Sequence, residues 1–135
     1  AAHFSQQNAE RTDFDDGSFD LIVSHILLHE TSRQALYNIM KECHRLLRPG
    51  GIVLHAEAPV RNDELEPFDA FMRDWATHYN AEPFWGTLHD MDLDDPALQA
   101  GFAKDRLILA HTPKGQGGGY ALTGGASWLI YGAVK

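Results

Sequence analysis

Between Phe19 and Ala58 the sequence contains one unit that leaves little choice of architecture. Asp20-Leu21-Ile22-Val23-Ser24 is a short apolar run with β-branched residues, suited to a strand buried on both faces. Thr31 stands three residues before Gln34, a capping-box spacing that predicts a helix start. Leu36, Ile39, Met40, Cys43, Leu46 and Leu47 then follow the i, i+3, i+4, i+7 rule and make one apolar stripe. Arg33, Asn38, Lys41, Glu42 and Arg45 fall on the other side. Pro49-Gly50-Gly51 stops the helix, because proline cannot continue it and glycine is free to take positive φ. Ile52-Val53-Leu54 follows as a second apolar strand. Strand, helix and strand at this spacing predict a parallel βαβ unit with a right-handed crossover, and so an α/β fold.

Downstream, Phe68, Phe71, Met72, Trp75 and Tyr79 repeat at helical spacing, with Pro67 tolerable in the first turn. We read these aromatics as core in preference to a ligand-binding wall. Asp94-Asp95-Pro96 opens a short helix through Leu98 to Ala100 that Gly101 closes. Arg106 to His111 and Ser127 to Val134 read as two further strands. The glycine-rich stretch from Gly115 to Gly125 between them predicts an antiparallel pair, since a two-strand return needs no helical crossover. No repeat divides the chain, and residues 1–135 read as one domain with material for a single layered core.

Composition narrows the function classes. A formal net charge of -8 argues against a nucleic-acid binder, which carries a basic face. No apolar run approaches the ~18 residues of a membrane span, so no membrane partner is expected. Cys43 stands alone and cannot form an internal disulfide, which suits a reducing cytoplasm. On the apolar helix stripe it reads as a buried structural thiol.

Several polar groupings are candidates for chemistry. His25 and His29 lie four apart with Glu30 adjoining, but zinc needs three or four convergent ligands, and no metal site is expected. His55 and Glu57, two apart on a strand, share a face. They could serve as general base and orienter, although a polar strand end hydrogen-bonded to neighbouring loops is the favoured reading. His89-Asp90-Met91-Asp92 and the acidic run Asp13, Asp15 and Asp16 read as solvated loops.

Taken in order, Asn8-Ala9-Glu10, Asp16-Gly17-Ser18-Phe19-Asp20-Leu21-Ile22-Val23-Ser24, Leu28-His29 and Arg45-Leu46-Leu47-Arg48-Pro49-Gly50-Gly51 resemble the class I S-adenosylmethionine-dependent methyltransferases. Ala100-Gly101-Phe102 resembles the segment before that family's sixth strand, and the last two strands its antiparallel edge pair. The resemblance implies a truncated Rossmann-like methyltransferase sheet and methyl transfer from S-adenosylmethionine to a small-molecule acceptor. It implies that Asn8 and Ala9 hold adenine, and that Ser24 and His25 border the methionine end of the cofactor. It makes His29, with His25, the catalytic candidates on the acceptor side, and it places Phe84-Trp85-Gly86 where an acceptor pocket is often built. The carboxyl ends of strands are also where open α/β sheets bind ligands.

One departure carries equal weight. No glycines stand at i, i+2 and i+5, so the glycine-rich loop that holds the methionine end of the cofactor is absent from this chain, and cofactor binding by it alone is expected to be weak or absent. The resemblance begins at about the family's third strand, with Ala2-His3-Phe4-Ser5 as its remnant. In the family's strand order, Leu21 to Ser24 then becomes an unprotected edge. Such an edge should recruit a second copy, as a homo-oligomer, or a partner chain. The alternative to catalysis is a non-catalytic remnant or subunit that uses the half-sheet as a binding surface.

Overall fold

The computed structural model describes residues 2–57, 67–79, 84, 86, 88, 91–112 and 128–135. Strand β1 (Phe19–His25), helix α1 (Arg33–Leu46) and strand β2 (Leu47–Glu57) form the expected unit, with a 3-10 turn at Leu28–Glu30 between β1 and α1. Helices α2 (Pro67–Tyr79) and α3 (Asp94–Ala100), a 3-10 turn at Lys104–Arg106, and strands β3 (Leu107–His111) and β4 (Leu129–Val134) follow. The sheet order is β1-β2-β4-β3. β1 and β2 are parallel, whereas β4 runs antiparallel to both β2 and β3. The architecture is thus the α/β sheet anticipated: a parallel βαβ unit, helices, and an antiparallel pair.

The start of α1 lies one residue later than the capping box suggested. Ser32 is extended and its side chain accepts from the Ala35 N–H, so Ser32 is the N-cap. Thr31 instead donates its hydroxyl to the Leu28 carbonyl and closes the preceding turn. The helix also ends before the proline-glycine pair. Leu47 is already extended and pairs with Phe19, because a residue preceding proline, here Arg48, is pushed out of the helical region. Arg48 to Gly51 then bulge out opposite Asp20, and pairing resumes at Leu21 with Ile52. Gly50 takes φ +84° in that bulge, and a Cβ on Gly51 would lie 2.9 Å from the Arg48 carbonyl oxygen.

The core fills one face of the sheet. Leu36, Ile39, Met40 and Cys43 of α1 pack on Val53, Tyr131 and Ala133, with Ala97 and Phe102 closing the far side. Gly101 ends α3 in the left-handed region (φ 105°), and Phe102 meets the His44 ring edge-on at 4.8 Å. Three expectations need correcting. Glu42, assigned to the solvent side of α1, is buried, because the loop before β1 folds over it. The aromatic stripe of α2 is not core: Phe68 and Tyr79 are 70% and 72% exposed, and Trp75 stacks on Tyr79 at 5.4 Å. Helical spacing defines a stripe but not what covers it, and the core described here closes without α2. Residues 2–7 contain no strand, and Phe4 is 95% exposed.

Among the described strands β1 forms one edge and β3 the other; Leu21 and Val23 are 55% and 62% exposed, so β1, expected to be buried on both faces, is only partly buried, and on one face. No helix among the described residues is long and apolar enough to cross a membrane.

Candidate active site

The carboxyl ends of the parallel strands bring the polar candidates together. Ser24 stands opposite His55 in the ladder, and its Oγ lies 2.6 Å from His55 Nδ1. His55 is fully buried, which drives its pKa down to about 4 against a weaker opposing pull from Glu57. The ring is therefore neutral near pH 7 and lies 6.0 Å from the Tyr131 ring, with Nε2 lacking a hydrogen-bond partner. His55 and Glu57 share a face as expected but do not serve each other. Glu57 reaches instead to the segment after β1, accepting from the Leu27 N–H at 2.9 Å, the Leu28 N–H at 2.7 Å and His29 Nδ1 at 2.7 Å. Burial pushes the Glu57 carboxyl up, but these three bonds outweigh it and the net pKa lies below the ordinary carboxylate value. The strand end is hydrogen-bonded to its neighbouring segments, the reading favoured from the sequence.

The loop before β1 supplies the second wall. Asn8 Oδ1 accepts from the Glu10 N–H at 3.0 Å and the Asn8 carbonyl from the Arg11 N–H, a tight local turn. A clamp on α1 holds this turn. Glu42 accepts from the Thr12 N–H at 2.8 Å and hydroxyl at 2.7 Å and pairs with Arg45. Arg45 also reaches Asp16, and Asn38 donates to Glu10. Side-chain hydrogen bonds to Arg45 lower the Glu42 pKa to about 2 despite its burial. The clamp was not foreseen: its only local trace is the i, i+3 spacing of Glu42 and Arg45.

Between loop and strands lies a cleft of about 370 Å³, lined among others by Ala9, Phe14, Leu21, Ser24, Leu27 and His55. A depression of about 430 Å³ beside it, lined by Glu10, Asn38, Glu42, Arg45 and neighbouring charges, is the outer side of the clamp and holds none of the candidates. The structure therefore brings Ala9 and Ser24 to one cleft but leaves three other candidates outside its lining. Asn8 is exposed and committed in part to its own turn. His25 lies on the opposite sheet face, exposed, with its ring 5.0 Å from Trp128. His29 is buried against Glu57. Among the described residues no group of three or more potential ligands could hold a metal ion. Cys43 is buried and free, its thiol pushed up to about 12 by desolvation. Of the aromatic site suggested at Phe84-Trp85-Gly86, Trp85 lies outside the described residues, as do His89 and Asp90.

The cleft suits part of an S-adenosylmethionine molecule. It offers mainly apolar walls with the Ser24 hydroxyl at the strand end, while the chain has no glycine-rich loop for the methionine end.

A mixed sheet of order β1-β2-β4-β3, with a polar cluster where its parallel strands end, has a Rossmann-like α/β arrangement. Comparison with known proteins narrows this. A family profile described as "Methyltransferase domain" matches residues 1–55. An uncharacterized methyltransferase of Synechocystis sp. is 41% identical over 110 residues, covering 80% of this chain and 50% of that protein. A solved S-adenosylmethionine-dependent methyltransferase of Methanosarcina mazei superposes with a TM-score of 0.66 at 19% identity, covering 100% of this chain and 68% of that one. The phosphoethanolamine N-methyltransferase 2 of Haemonchus contortus, solved with phosphomonomethylethanolamine and S-adenosylhomocysteine, gives 0.61 at 16% identity, covering 94% and 36%. Together these matches indicate a class I S-adenosylmethionine-dependent methyltransferase domain, and the chain spans about half the length of the curated relative it matches.

Proposed function

We propose that this chain contributes the acceptor-side half of an S-adenosylmethionine-dependent methyltransferase acting on a small molecule. The observation that carries this reading is the single cleft that joins Ala9, on the loop before β1, to Ser24, at the carboxyl end of β1. Ala9 and Asn8 would hold the adenine ring, the asparagine through the lone pair its own turn leaves over. Ser24 would border the methionine end, whereas His25, on the opposite sheet face, does not join it. The bound cofactor supplies an electrophilic methyl carbon on a sulfonium sulfur, so the protein's share is alignment and removal of a proton from an acidic acceptor. His29, one turn beyond β1, is the candidate for that proton. Small-molecule acceptance is supported by the likeness in fold to an enzyme solved with a phosphorylated amine.

The test is a calorimetric titration with S-adenosylhomocysteine, which cannot turn over. Binding at about micromolar strength, roughly -8 kcal/mol, supports the reading. No heat from a folded chain favours a non-catalytic subunit.

The exposed edge of β1 supports a companion reading, a homodimer or larger assembly through that strand. A sedimentation series showing only monomer at every concentration would rule it out.

A further inference from the structure

We infer that Glu57 is a positioning residue of this site, holding the β1–α1 connection in a strained path and fixing His29 as the Nδ1–H tautomer. The inference rests on the methyltransferase reading for its purpose, but its geometry stands independently.

The chain leaves β1 through Ile26, which has φ +55°. For a β-branched residue this left-handed conformation is an outlier that persists only where its surroundings impose it. Here the surroundings are the end of β2. The Ile26 N–H donates to the Ala56 carbonyl at 2.9 Å, and the next two amides, Leu27 and Leu28, both donate to Glu57 Oε1. Those two residues then deliver His29, whose Nδ1 lies 2.7 Å from Glu57 Oε2. One carboxylate thus holds three consecutive residues of a segment 28 to 30 positions away in sequence.

The proton assignment follows from these partners. Backbone amides only donate, so Oε1 is an acceptor twice over. The hydrogen bonds from Leu27, Leu28 and His29 outweigh the effect of burial and hold the Glu57 carboxyl below its ordinary pKa, so it is ionised near neutral pH. Oε2 then accepts as well, and the proton between the residues sits on His29 Nδ1. Nε2, the nitrogen at which the ring can take up a further proton, faces the Glu30 carboxylate at 3.6 Å, and that second acidic neighbour favours the uptake. A carboxylate that orients an imidazole through Nδ1–H while leaving Nε2 as the basic nitrogen is the arrangement general-base histidines require. Fold maintenance alone would need the two backbone bonds and no histidine.

Glu57→Gln separates the two roles. The glutamine carbonyl still accepts from Leu27 and Leu28, whereas its amide group cannot accept from Nδ1–H. Imidazole nitrogen-15 spectra of the full chain above pH 7 should show wild-type His29 as the Nδ1–H tautomer, and Glu57→Gln should convert it to Nε2–H or a mixture. Glu57→Asp, keeping the charge on a shorter arm, should restore part of the wild-type pattern. A wild-type ring protonated on Nε2 alone, or an unchanged tautomer in Glu57→Gln, overturns the inference. If Glu57→Gln does not fold, the wild-type spectrum alone decides. S-adenosylhomocysteine binding by the wild type, measured separately, tests the methyltransferase reading and leaves the tautomer result unaffected.

Discussion

Glu42→Gln isolates the charge of the clamp that holds the Asn8-Ala9 turn against α1. The glutamine carbonyl keeps the two Thr12 bonds, so what is lost is the ionic part of the pairing with Arg45 and the bond from Arg45 Nε to the second carboxylate oxygen. The carboxyl pKa falls from 4.5 to about 2 on folding. Unscreened, that difference corresponds to about 3 kcal/mol. The Arg45 side chain is 33% exposed, and solvent screening reduces the contribution to about 1–2 kcal/mol. Because the folded pKa is the lower one, the stabilisation is complete above the unfolded value and disappears as pH falls from about 4.5 towards 2. Urea unfolding of wild type and variant at pH 6 should differ by about 1–2 kcal/mol, and at pH 3 by less than half of that. The variant should also loosen the loop, so the Arg11 amide, which donates to the Asn8 carbonyl, should exchange hydrogen faster. A stability gap equal at both pH values, or absent at pH 6, would refute the electrostatic account of the clamp.

Further predictions concern the sheet and the buried groups. A Cβ on Gly132 would lie 2.0 Å from the Val53 carbonyl oxygen, so Gly132→Ala must force β2 and β4 apart. It should cost about 3 kcal/mol or more and lower the melting temperature by roughly 10 °C. Gly50→Ala, with open space but φ +84°, should cost only about 1–2 kcal/mol in the same circular-dichroism melts. His55 has its folded pKa lowered from 6.5 to about 4, so wild-type stability should decline as pH falls through that window. His55→Leu should flatten the decline when urea midpoints are plotted against pH. The Cys43 thiol should resist a thiol reagent at pH 8 in the native chain and react fully in urea.

How much of this was legible in the sequence depended on the range of the interaction that decides each feature. The βαβ unit followed from periodicity, and α3 followed from Asp94-Asp95-Pro96 and Gly101, because helices and their ends are set by neighbours in sequence. The edge position of β1 followed from topology. The α2 stripe showed its spacing correctly but not its exposure, which depends on which element lies against it. The site was the least legible. His55 and Glu57 were identified on one face, yet their partners, Ser24 and His29, lie about 30 residues away on another strand and its following turn. The positive φ of Ile26 has no local signature, since no sequence rule favours isoleucine there. Likewise Glu42 reads as one more charge on a solvated helix face until the loop around Thr12 is folded over it.

The central claim is that the cleft between the Ala9 loop and the end of β1 is the cofactor half-site of a methyltransferase. Amide chemical-shift mapping with S-adenosylhomocysteine tests it most directly, because it locates a ligand even when binding is weak. Saturable shifts concentrated at Ala9, Ser24 and Leu27, with α3 and β3 unaffected, are the predicted result. Shifts clustered elsewhere, or none at millimolar ligand from a folded chain, would contradict it.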